Sequence, residues 1–112
     1  MKILHNPRCR KSRETLQLIQ ESDQDVEVIE YLKAPPSKDE LKEIIVLLAI
    51  KPEQLIRKGE IEYKENFKAK KLSEDQWLEA MVKFPKLIER PIVIKGNKAV
   101  IGRPPEKVKE LL

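Results

Sequence analysis

One cysteine and one histidine stand among 112 residues, with only three glycines and few aromatics. A single cysteine excludes an internal disulfide, so any disulfide chemistry would need a thiol from outside the chain. One Cys and one His cannot build a Cys/His metal cluster, and the carboxylates show no ligand spacing. No apolar run approaches the ~20 residues of a membrane span. The longest, Ile44 to Ile50, reads as part of a core helix. No secretory leader is visible, and with the lone cysteine this points to a reducing, cytoplasmic setting.

What is present fits one globular domain. The apolar fraction is 40%, and the charged fraction is 38% of mixed sign, with a formal net charge of +4. Such a mixture reads as a solvated surface rather than a tail. The mild positive excess fits a small anionic substrate and also fits weak nucleic-acid affinity, though no nucleic-acid partner is expected.

The cysteine sits in His5-Asn6-Pro7-Arg8-Cys9-Arg10-Lys11-Ser12-Arg13. A short apolar segment precedes this run and a helical pattern follows it. Cys9 therefore falls on a strand-to-helix loop at a helix start. Backbone N–H groups there point outward, the helix dipole favours an anion, and nearby cations add to this. The dipole is worth roughly 0.3–2 kcal/mol to an anion, so a strongly stabilised thiolate needs an arginine or lysine from elsewhere in the chain. The bland alternative is an inert core thiol.

Along the chain, Lys2 to Leu4 reads as a strand, followed by a helix to about Ser22 with Leu16, Ile19 and Thr15 or Leu18 inward. Val26 to Tyr31 reads as a second strand, completing a βαβ unit. Ser37-Lys38-Asp39-Glu40 is a capping box, and its helix turns Leu41, Ile44, Ile45 and Leu48 inward. Pro52 starts a short helix ending near Gly59. Ser73-Glu74-Asp75-Gln76 is a second capping box, followed by Trp77, Leu78, Met81 and Val82 on one face and a stop at Pro85. The run Lys68 to Lys71 reads as a solvated face, with a docking patch for an electron donor as the lesser reading. Two apolar runs joined through Gly96-Asn97 form a hairpin. Gly102-Arg103-Pro104-Pro105 launches a last short helix that packs Val108, Leu111 and Leu112. The order predicts an α/β, thioredoxin-like fold: a mixed four-stranded sheet with an inserted helical subdomain at about 35–85, in a single domain spanning 1–112. In that layout Pro91, just before the third strand, faces Cys9.

With these pieces in place the sequence resembles the glutaredoxin-dependent arsenate reductases of the ArsC family over nearly its whole length. The matching segments are His5-Asn6-Pro7-x-Cys9-x-x-Ser12-Arg13, Tyr31-Leu32-x-x-Pro35-Pro36-Ser37-x-x-Glu40-Leu41, Leu55-x-Arg57-Lys58, Arg90-Pro91-Ile92-Val93 and Gly102-Arg103-Pro104. The resemblance implies reduction of arsenate to arsenite, with Cys9 as nucleophile and Arg57, Arg90 and Arg103 on the oxyanion. Planar guanidinium forks suit such an anion in a way lysine does not. It further implies glutathione as co-substrate, glutaredoxin as electron-supplying partner, no tightly bound cofactor, and a cis bond at Pro91. His5, Ser12 and Pro91 take supporting roles. His5 is either a packed strand-end residue or a group that tunes the loop, and Ser12 bonds either locally or to the sulfur. Two rivals stand beside this: a binding module like the related Spx-type transcription regulators, and a glutathione-linked thiol protein without arsenate specificity. Spx-type proteins often carry Cys-x-x-Cys in this loop, and here the second position is Ser12.

Overall fold

The computed structural model describes all 112 residues, which divide into two compact units, Met1–Ala34 with Arg90–Leu112 and Pro35–Glu89. The first holds a four-stranded sheet. Its strands are β1 (Lys2–His5), β2 (Glu27–Glu30), β3 (Ile92–Lys95) and β4 (Lys98–Ile101), in the spatial order β2-β1-β3-β4. β1 pairs parallel with β2 across α1 (Arg10–Glu21), and β3 pairs antiparallel with both β1 and β4. This is the mixed, thioredoxin-like sheet that the order of elements predicts.

Alternation along the strands sorts the side chains by face. Ile3 opposes Val93, which opposes Val100. These three pack with Ile19 of α1 and with Val108 and Leu111 of a terminal 3-10 helix, Pro105–Leu111. Thr15 and Ile19 are the fully buried apolar-face residues of α1, while Leu16 and Leu18 are half-buried. Leu4 and Ile92, paired across β1 and β3, point to the opposite face and are buried as well. β2 is an edge strand, and its Val28 is 44% exposed. The hairpin turns at Gly96, whose φ of 59° lies in the left-handed region that glycine adopts without a Cβ clash. Leu112, expected in the core, is instead 38% exposed, because the 3-10 helix ends at Leu111 and nothing carries the next residue inward.

The second unit is helical. Both capping boxes form: Ser37 Oγ accepts from Glu40 N ahead of α2 (Lys38–Leu48), and Ser73 Oγ accepts from Gln76 N further along the unit. Between them lies α3 (Ile61–Asn66), which the sequence reading lacks, and the second box starts α4 (Glu74–Lys83). Trp77, Leu78, Ala80 and Met81 are the buried residues of α4. Val82, predicted on that face, is 38% exposed, and Ala80 takes the inward place. Phe67 packs against both Trp77 and Phe84. The helix expected from Pro52 to Gly59 stops at Leu55 as one 3-10 turn. Ile56 is already extended and forms an antiparallel bridge with Ile88, so Gly59 sits in a turn rather than at a helix cap.

Candidate active site

The loop between β1 and α1 is built by its own polar groups. Cys9 is the N-cap of α1, its N–H donates to Asn6 O at 3.0 Å, and its carbonyl accepts the first helical bond from Arg13 N. Asn6 Oδ1 accepts from Arg8 N. Arg13 Nη1 donates to Pro7 O at 3.0 Å, which makes Arg13 an anchor of the loop. Cys9 as a residue is 9% exposed.

Helix α1 differs from the others at its start. α2, α3 and α4 each carry an acid in the first turn, and α1 carries none. An acid there would compete with Cys9 for the positive end of the dipole. The cations next to Cys9 in sequence do less than their number promised. Arg8, Arg10, Lys11 and Arg13 are all exposed, and Arg10 pairs with Glu14. The cation that reaches the sulfur comes from the other end of the chain: Arg103 Nη2 lies 3.7 Å from Cys9 Sγ. Its Nε donates to Arg90 O at 2.7 Å, so the two arginines are tied together. Arg90 Nε and Nη1 are buried and have no acceptor. Buried charged donors without partners cost about 1–3 kcal/mol or more each, and such orphans mark a place where an acceptor belongs.

Pro91 joins this group by its backbone, since its carbonyl accepts from Gly102 N at 2.9 Å. The Arg90–Pro91 peptide is cis, as the resemblance implies, and so is Arg103–Pro104, which nothing in the sequence announced. Arg57 belongs to the helical unit, where its guanidinium pairs with Glu60 and its N–H donates to Leu87 O.

His5 and Ser12 are both buried and meet at 2.6 Å between Nδ1 and Oγ. The same hydroxyl accepts from Asn6 N at 3.0 Å. The simplest proton assignment has Ser12 donating to Nδ1, leaving the ring proton on Nε2. Ser12 thus bonds the loop rather than the sulfur. Burial pushes His5 below its ordinary value of 6.5; Glu30 opposes this and Arg13 adds to it. The unfolded chain therefore takes a proton at a higher pH than the folded one. The stability that neutral His5 supports is present above about pH 6.5 and is lost as pH falls through the lower folded value. Thermal melts between pH 7.5 and 5 should show a steeper fall in Tm for the wild type than for His5→Asn. Parallel curves would refute this.

The residues of this loop and of both arginine segments lie inside the span that matches the model of the ArsC family, residues 4–111. The chain belongs to the ArsC family. Among its relatives, the uncharacterized protein YfgD of Escherichia coli strain K12 is 46% identical over all of this chain and 96% of that one. The arsenate reductase of Neisseria meningitidis serogroup A is 40% identical, over all of this chain and 97% of that one. The solved structure of an arsenate reductase from Vibrio cholerae superposes with a TM-score of 0.93 at 44% identity, covering all of this chain and 98% of the other. No helix of this ArsC protein is long and apolar enough to cross a membrane.

Proposed function

We propose that this ArsC protein is a thiol-dependent arsenate reductase that uses glutathione as co-substrate and glutaredoxin as electron-supplying partner. The observation that carries the reading is the meeting of Cys9 Sγ with Arg103 Nη2, beside an Arg90 whose buried Nε and Nη1 lack an acceptor. A nucleophile, a guanidinium and unspent donors in one place suit attack on an oxyanion, where charge develops on oxygen and must be held. Relatives of near-full-length overlap named arsenate reductase support the substrate.

In this reading the Cys9 thiolate attacks arsenic(V) and an oxygen leaves as water. Arg90 and Arg103 hold the remaining oxygens. His5 and Ser12 hold the loop in shape. Overall, arsenate and two thiols give arsenite, one disulfide and water. Cys9 is the only thiol in the chain, so both electrons must come from external thiols. Residues 1–112 act as one ArsC domain in a reducing compartment.

The test is NADPH consumption in the presence of glutathione, glutaredoxin and glutathione reductase. Consumption that depends on both arsenate and this protein is the expected result. A rate unchanged by adding arsenate would overturn the substrate assignment.

A further inference from the structure

The loop that delivers Arg103 is seated on the same helix that carries the thiol. Gly102 is buried and lies just after β4. A Cβ there would lie 2.5 Å from Thr15 Oγ1, 3.0 Å from Thr15 Cγ2 and 2.9 Å from Pro91 Cγ. Real side chains do not tolerate such distances. Gly96 is the chain's only glycine with positive φ, so glycine is required at 102 for space and not for backbone freedom.

The seat itself cannot easily yield. Thr15 is fully buried, and its Oγ1 donates to Lys11 O at 2.8 Å. On the other side, Gly102 N is held by Pro91 O at 2.9 Å. One residue further on, Arg103 Nε is fixed to Arg90 O and Nη2 reaches Cys9 Sγ. The loop therefore touches α1 twice: by close packing at Thr15 and through the guanidinium at Cys9, the N-cap of that helix.

We propose that Gly102, packed without a side chain against Thr15 and Pro91, is a positioning residue that sets the reach of the Arg103 guanidinium to the Cys9 sulfur. This rests on the reading that Arg103 serves the chemistry of Cys9. Any side chain at 102 must lift the loop from α1 or displace Thr15, and Arg103 moves with the loop. At 3.7 Å the N–H···S contact is already long, so it does not survive much displacement. A misplacement of about 1 Å can cost about 10²-fold in rate.

The experiment compares Gly102→Ala, Thr15→Ala, the double variant and Arg103→Ala. Two quantities are read: kcat and KM for arsenate, and the rate of Cys9 alkylation by iodoacetamide at pH 7, which needs no arsenate. Gly102→Ala should lower kcat/KM by about 10–100-fold and slow alkylation toward the Arg103→Ala rate. The double variant should recover much of both, because Thr15→Ala removes the two Thr15 atoms and leaves only a proline ring carbon to adjust. Mere destabilisation would expose the buried Cys9 and quicken its alkylation instead of slowing it. Wild-type values for Gly102→Ala, or a double variant no better than the single one, would overturn the proposal. Should Gly102→Ala not fold, the double variant is compared with Thr15→Ala: equal alkylation rates support the proposal, and a double variant at the Arg103→Ala rate overturns it. If Arg103→Ala itself leaves both quantities unchanged, the reading of the site fails first, and that failure is seen without reference to residue 102.

Discussion

Cys9→Ser is expected to reduce arsenate-dependent turnover to background while leaving the fold as stable as before, or slightly more so. The hydroxyl is nearly the size of the thiol but is hardly ionised at neutral pH, so it cannot replace a thiolate nucleophile. The stability side follows from the position. Cys9 is the N-cap of α1 and its side chain makes no capping bond. Serine is a preferred N-cap, worth about 0.5–2 kcal/mol over alanine there, so the new hydroxyl has a ready partner among the free N–H groups of the first turn. Circular dichroism and Tm should therefore be preserved or raised while turnover disappears. Retained turnover would remove Cys9 from the mechanism, and no second thiol exists in the chain to take its place.

Arg103→Lys and Arg90→Lys are each expected to lower kcat/KM for arsenate by about 10²–10³-fold, the usual cost of losing a donor aimed at developing oxyanion charge. Lysine keeps the charge but loses the planar fork. At position 103 two bonds go at once, since one fork spans Arg90 O and Cys9 Sγ. At position 90 the substitution removes the buried donors that lack an acceptor, so binding of the oxyanion suffers most and KM should rise. Lys70→Ala, at an exposed position of the helical unit, should stay within about twofold of wild type. Wild-type kcat/KM in both arginine variants would dismiss the assignment.

Much of this architecture is legible in the sequence because local signals carry it. Ser37 and Ser73 announce their helices by hydrogen bonds made within four residues. Gly96-Asn97 between two apolar runs announces the hairpin, and Cys9 before a helical pattern announces the loop. The misses have equally physical reasons. α3 buries none of its residues, and its N-cap Glu60 makes no side-chain cap bond, so neither periodicity nor a box betrays it. Val82 and Ala80 exchange roles because an inward alanine is invisible to a search for large apolar residues. The cation at the sulfur is the clearest case. Four basic residues adjoin Cys9 in sequence, yet all four are exposed, and the one that reaches the sulfur, Arg103, was named only through the family resemblance. The close seat of Gly102 leaves no mark in sequence beyond the glycine itself, since crowding by Thr15 and Pro91 exists only once the chain has folded.

The 94-residue separation of Cys9 and Arg103 along the chain has a meaning in time as well as in space. Loop closure over a long intervening segment costs little free energy, about 0.6 kcal/mol for each doubling of length, so the helical unit can be inserted cheaply. It does, however, delay the contact. At synthesis rates of about 5–20 residues per second, the thiol leaves the ribosome roughly 5–20 s before its guanidinium partner. Over that interval β1, α1 and β2 can pair locally, but β1 still lacks β3. A nascent chain therefore carries its cysteine without Arg90 or Arg103 beside it. The reactive loop is made first and armed last.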